Sequence, residues 1–296
     1  MAIYDIHGNP IAANNGGYDW AEKVMSIEGD SHVANGTTAF PQYMASQLGV
    51  NTLLIGIAGV PVYGNYAGTR QDFRRRVSNI PANVDLIFIE GDSNAINSNV
   101  SDLNSTDIST WSGRWNVAVE AIKKSFPTVP VILASDYPHN RTGLDRTWHA
   151  HEQFERMAVR HGCYHISIGR DAGFSRIYAN HIWGLFDGDT TGHCSNEAMK
   201  IWSDCVLQKI RSIKPPVWTG EDSITIDSTA TLSVGNTANI GYTITGDQSI
   251  QWTSSDMDVA CVMGGTVYGM SAGTATITAT TRNGNTAACA VTVTSA

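Results

Sequence analysis

No apolar run in the chain approaches the roughly 18 residues that a membrane-spanning helix needs, so no membrane partner is expected. Basic residues are in deficit: 19 Lys and Arg stand against 27 Asp and Glu, for a formal charge of -8. A nucleic-acid partner would call for a basic face, and none is expected here. The dense basic stretch "RQDFRRR" at residues 70–76 is read as the solvated side of a helix. Five cysteines are present, none in a CxxC pair, which argues against a zinc knuckle and a disulfide framework. Buried free thiols are expected, with a single bridge, Cys194–Cys205 or Cys261–Cys289, as the other reading. The opening residues lack a basic start followed by an apolar core, so no signal peptide is expected. Heptads are absent, so no coiled coil is expected. What the chain does have is enough apolar material for a packed core, with 42% hydrophobic against 16% charged residues.

Two textures divide the sequence. Residues 20–213 alternate strand and helix patterns. Near-continuous apolar runs at 24–29, 52–58, 84–90, 129–135 and 164–168 predict strands buried on both faces of a parallel sheet. Helical periodicity falls between them: Phe40, Tyr43, Met44 and Leu48 in 38–48, and Trp111, Trp115, Val119 and Ile122 in 110–126, with further helices over 144–161 and 195–213. The alternation predicts a three-layer α/β/α domain, whose site gathers at the carboxyl ends of its strands. "SIKPPVWTGED" interrupts the pattern, and its paired prolines end the last helix and stiffen a linker at 214–220. Residues 221–296, rich in Thr, Ser, Ala, Val and Gly with short alternating runs, predict a small all-β sandwich. Residues 1–19 form a separate N-terminal segment of unassigned role.

Within the α/β part, a Gly-Asp-Ser trio occurs twice after an apolar run, as "SIEGDSH" at 26–32 and "IFIEGDSNAIN" at 87–97. A serine nucleophile needs a base for its proton and donors for the oxyanion. Ser31 follows a strand and precedes a helix, which favours it over Ser93, whose sequel is polar and irregular. The base is sought on a loop at the same edge, and "FDGDTTGHCSNEAMKIW" supplies His193 four residues after Asp189. Asp187 is the second choice of orienting acid. Two other readings stay open: Asp187, Asp189 and His193 as metal ligands, and His193 as an ordinary residue at a helix N-cap.

Gly29-Asp30-Ser31, a Gly after the second strand, a Gly-Asn element after the third and a late Asp-His pair together resemble the SGNH (GDSL-type) hydrolases over residues 20–213. The resemblance implies a flavodoxin-like fold, with Ser31 as nucleophile, His193 as base and Asp189 as its orienter. It implies an oxyanion hole from the backbone N–H groups of Ser31 and Gly59 and the Asn94 side chain. The family's third block reads Gly-x-Asn, whereas here it runs Gly91-Asp92-Ser93-Asn94, so Ser93 is the other candidate for that donor. The family's acid lies three residues before the histidine, a place held here by Thr190. No metal and no organic cofactor are implied. The tail is similar to the bacterial Ig-like group 2 domains, through the Trp252-Ser254-Ser255-Asp256 and Gly273–Ile277 blocks.

These readings point to a serine esterase. Asp30, His32, Tyr63, Ser93, His139 and Arg141 are the substrate-binding candidates, with His181 as further pocket lining. Loops rich in Tyr, Asn, Arg, Thr and Ser suit a sugar better than a long acyl chain. The expected substrate is an O-acetyl ester on a surface polysaccharide, or another small ester. An Ig-like tail without a leader suits a phage virion, with other tail components as partners; a secreted or cell-surface bacterial enzyme is the alternative setting. The competing function is a glycan-binding structural tail protein on an SGNH fold that has lost turnover.

Overall fold

The computed structural model describes residues 3–4, 10–11, 17–29, 33, 40–55, 73–91, 105–135, 144–167, 171 and 196–296. Two short strands, β1 (Ile3–Tyr4) and β2 (Pro10–Ile11), pair antiparallel. The central sheet comprises β3 (Val24–Glu28), β4 (Asn51–Leu54), β5 (Leu86–Glu90), β6 (Val131–Ser135) and β7 (Tyr164–Ser167). Its order is β4-β3-β5-β6-β7, and every pairing is parallel. The helices are α1 (Phe40–Leu48), the single turn α2 (Phe73–Arg76), α3 (Trp111–Ser125), α4 (Leu144–His161) and α5 (Asn196–Arg211). Among the described residues no helix is long and apolar enough to cross a membrane.

The apolar runs of β5 and β6 have no polar alternation because every residue in both strands is buried. Successive side chains turn to opposite layers. Ile87, Ile89, Val131 and Leu133 pack with Trp111, Trp115 and Ile122 of α3 and Phe154 and Met157 of α4. Leu86, Phe88, Ile132 and Ala134 pack with Phe40 and Met44 of α1 and Met199, Trp202 and Ile210 of α5. Aromatic contacts fix both layers: Phe40 stacks on Trp202 at 4.2 Å between centroids, and Trp115 meets Phe154 edge-on at 4.9 Å. Thr110 begins α3 by accepting from the Gly113 N–H at 3.1 Å. The result is the three-layer α/β architecture expected from the sequence.

The C-terminal part is wholly β: β8 (Asp222–Ile226), β9 (Thr229–Ser233), β10 (Thr237–Asn239), β11 (Tyr242–Gly246), β12 (Ile250–Ser254), β13 (Ala260–Met263), β14 (Thr266–Gly269), β15 (Gly273–Thr281) and β16 (Thr286–Thr294). They form sheets ordered β12-β15-β16-β9, β10-β14-β13 and β11-β8. Strand β16 alternates buried and accessible residues along most of its length, and its inward positions Cys289, Val291 and Val293 meet Trp252 and Ile277 in the core. At Asn283-Gly284 the β15–β16 hairpin turns, with Gly284 at φ +85° where a side chain would be strained. Cys163, Cys205, Cys261 and Cys289 are free thiols, so neither bridge considered from the sequence forms. Burial pushes the Cys163 and Cys205 thiols up to about 11, which keeps both protonated and unreactive at neutral pH.

The basic cluster departs from its expected role. Arg76 is buried at 5% exposure, and Arg75 pairs with Asp258 of the C-terminal part at 2.9 Å. Among the described residues of the cluster, Arg75 is thus bonded to the β domain, more than 180 residues away in sequence, instead of standing in solvent. Further bonds follow along the chain: Gln251 Nε2 donates to the Ser78 carbonyl (2.8 Å) and Ser249 Oγ to that of Ala82 (2.5 Å). Met263 joins the core cluster of α3 and α4, and a Cβ on Gly264 would lie 2.8 Å from the Ala121 Cα. In the linker, Trp218 donates its indole N–H to Asp85 Oδ1 at 2.7 Å, and the Arg282 guanidinium lies 3.9 Å from the centre of its ring.

Candidate active site

All five strands of the parallel sheet end on one edge, so the chain leaves β3 at Gly29, β4 at Ile55, β5 at Gly91, β6 after Ser135 and β7 after Ser167 at the same side of the domain. The Ile55 N–H donates to the Ile27 carbonyl at 3.0 Å, and the Gly91 N–H to that of Ala134 at 2.6 Å, which continues the ladder to the edge. The predicted site residues Ser31, Gly59, Asn94, Asp189 and His193 lie outside the described residues. So do Asp30, His32, Tyr63, Ser93, His139, Arg141, His181 and Asp187. What the structure describes is the floor from which their segments depart.

That floor carries two buried glutamates. Glu28 and Glu90 close β3 and β5, at 0% and 1% exposure. The two "IEGDS" segments are 62 residues apart, but Glu28 is paired across the ladder with Ile89 and not with Glu90. Side chains alternate with period two, so this slip of one residue sends the twin glutamates to opposite layers. Glu28 faces the side of Ile55, Val77 and the buried Arg76; Glu90 lies under Gly29, where an added Cβ would be 2.7 Å from Glu90 Oε2 and 2.5 Å from Val33 Cγ2. The repeated motif therefore has two structurally distinct roots.

Arg76 Nη1 donates to the Gly29 carbonyl at 2.8 Å and to the Ile55 carbonyl at 3.2 Å. Burial pushes the Glu28 carboxyl up to about 7, against the opposing pull of the Arg76 charge and a long bond from Ser26 Oγ (3.5 Å). Folding therefore retains a proton that the unfolded chain releases above about 4.5. This group's contribution is fully present at low pH, is lost as pH rises through about 7, and is flat above it. Relative to Glu28→Gln, the wild-type chain is expected to gain stability by about 3 kcal/mol between pH 8 and pH 4.5. Urea unfolding of both proteins across that range measures it; parallel pH profiles would refute the assignment.

One serine–histidine contact is present that sequence reasoning missed. Ser135 Oγ, at the end of β6, lies 3.1 Å from Nε2 of His165, the second residue of β7. The hydroxyl also donates to the Ile166 carbonyl at 3.3 Å and is buried at 3% exposure. A buried hydroxyl shared between a ring nitrogen and a backbone carbonyl of the neighbouring strand suits a structural bridge between β6 and β7. The signal available beforehand was only that both residues fall within predicted strands, Ser135 at the end of one and His165 near the start of the next. Among the described residues no group of three His, Cys, Asp or Glu could hold a metal ion.

Comparison with known proteins covers the chain in two parts. Residues 222–292 match the bacterial Ig-like domain (group 2) family. A 3-O-alpha-D-galactosyl-alpha-L-arabinofuranosidase of Bifidobacterium longum subsp. longum is 44% identical over 64 residues, which are 20% of this chain and 6% of that protein. A crystal structure from Lactobacillus plantarum superposes with a TM-score of 0.57 at 20% identity, covering 65% of this chain and 98% of its own. An acetyl xylan esterase variant from Geobacillus stearothermophilus is similar at a TM-score of 0.48 and 14% identity, covering 65% of this chain and 97% of that one. The parallel sheet flanked by helices thus has an α/β fold shared with the Lactobacillus plantarum structure, followed by a region that matches the Ig-like family.

Proposed function

We propose that the protein is a serine esterase in which His193, oriented by Asp189, takes the proton of Ser31 as Ser31 attacks an ester carbonyl. The Ser31 and Gly59 N–H groups and the Asn94 amide stabilise the oxyanion, and water then hydrolyses the acyl-enzyme. One observation carries most weight: β3, β4 and β5 are adjacent and parallel, and the three blocks holding Ser31, Gly59 and Asn94 follow their carboxyl ends within a few residues. Removing one oxyanion donor typically costs about 10²–10³ in turnover.

The substrate in this reading is an O-acetylated polysaccharide at a cell surface, reached by a protein carried on a phage virion. The acetyl xylan esterase among the structural neighbours is in keeping with an acetylated carbohydrate, and the polar loops around 60–69 and 136–147 supply hydrogen-bonding side chains. The displaced Asn94 and Asp189 favour the second reading, a glycan-binding tail protein without turnover. Treatment with diethyl p-nitrophenyl phosphate separates them. An activated serine is expected to give a stable phosphoryl adduct on the peptide containing Ser31, together with acetate release from acetylated xylan. An unmodified Ser31 peptide and no acetate release would leave the binding reading in place.

A further inference from the structure

We propose that Arg76 is a positioning residue for the candidate active site and that the Ig-like domain holds it there. The proposal rests on the esterase reading for its kinetic consequence, but the mechanical link does not depend on that reading. Arg76 reaches the carbonyls of Gly29 and Ile55, where β3 and β4 give way to the segments carrying Ser31 and Gly59. A single buried guanidinium thus ties the roots of the nucleophile segment and of one oxyanion donor, on adjacent strands.

The segment that carries Arg76 cannot hold itself in place. Helix α2 is one turn of four residues, followed by a 3-10 turn at Val77–Asn79. Helical pieces this short are unstable without tertiary support. Within the segment Ser78 Oγ donates to the Arg75 carbonyl at 2.6 Å. Much of the rest of the support comes from the Ig-like domain: Asp258 on Arg75, Gln251 on the Ser78 carbonyl, Ser249 on the Ala82 carbonyl, and the Tyr268 ring 6.0 Å from the Arg74 guanidinium. Arg75 and Ser78 flank Arg76 in sequence, so the domain grips the chain on both sides of the positioning residue. A spacer domain would have no reason to bond to this turn.

The test uses the full chain with two variants, Arg76→Met and the Ig-side double variant Gln251→Ala/Asp258→Ala, plus Arg76→Lys as the conservative control. Hydrolysis of p-nitrophenyl acetate and amide exchange of the peptide spanning residues 24–33 are measured together, with far-UV circular dichroism to verify folding. Misplacement of a reacting group by about 1 Å costs on the order of 10²-fold. Arg76→Met is therefore expected to lose about 10²-fold in kcat with KM little changed, and Arg76→Lys to recover part of the loss. The double variant, which alters only residues of the Ig-like domain, is expected to lower kcat and to speed exchange at 24–33. If wild type hydrolyses the ester and the folded variants keep its kcat, the inference is overturned while the esterase reading stands. If wild type is inactive, the esterase reading fails and exchange alone decides: unchanged exchange in both variants overturns the positioning role, and faster exchange upholds it.

Discussion

Replacing Ser31 with alanine is expected to lower kcat for p-nitrophenyl acetate by at least about 10³-fold, with little change in the unfolding midpoint. Without Oγ no acyl-enzyme forms, and what remains is the rate supported by bound substrate and oxyanion donors facing water. Residues that act as one unit are strongly non-additive. A His193→Ala chain should therefore fall about as far, and the double variant scarcely further. Initial rates of p-nitrophenol release by wild type and the three variants measure this directly. A Ser31→Ala chain as fast as wild type would remove the proposed nucleophile and transfer weight to the sugar-binding reading.

The largest expected loss of stability comes from a residue remote from that chemistry. Asp85, 3% exposed, accepts three bonds: from the Val24 N–H (2.9 Å) where β3 begins, from Trp218 Nε1 (2.7 Å) and from Arg282 Nη2 (2.9 Å). Arg282 also donates to the Val84 carbonyl at 3.0 Å. One carboxylate thus joins the parallel sheet, the linker and the β15–β16 hairpin. Asp85→Ala strands a partly buried guanidinium and leaves an indole N–H and a backbone N–H without their acceptor. Breaking such a pair from one side costs about 3–5 kcal/mol. Urea unfolding followed by tryptophan fluorescence should register that loss, and Arg282→Ala added to Asp85→Ala should cost much less than the sum of the two singles. A loss within about 0.5 kcal/mol, the range of ordinary surface substitutions, would show that the junction contributes nothing.

The sheet was legible because burial on both faces writes itself as unbroken apolar runs: "LIFIE" and "VILAS" could hardly be anything but central strands. The helices followed from the spacing of Phe40, Met44 and Leu48 and of Trp111, Trp115 and Ile122, which now meet the two faces of that sheet. The strand ends at Gly29 and Gly91, from which the candidate site departs, could be placed for the same reason. Three things were hidden. The fate of Arg75 and Arg76 depends on Asp258 and on strand carbonyls far off in sequence, and a charge run carries no record of what will cover it. The stagger between the twin "IEGDS" segments is a matter of ladder register, which composition does not encode. The linker prolines indicated stiffness, but not that Trp218 would be the point of attachment.

An Ig-like module bonded to its neighbour at Asp85, Ser78, Ala82 and Arg75 is oriented by those four points. Whatever anchors that module also dictates the compass bearing of the sheet edge where ester cleavage is proposed. A polymer gliding past an anchored copy would then meet the serine from one fixed direction, and an array of such copies would present their mouths in unison.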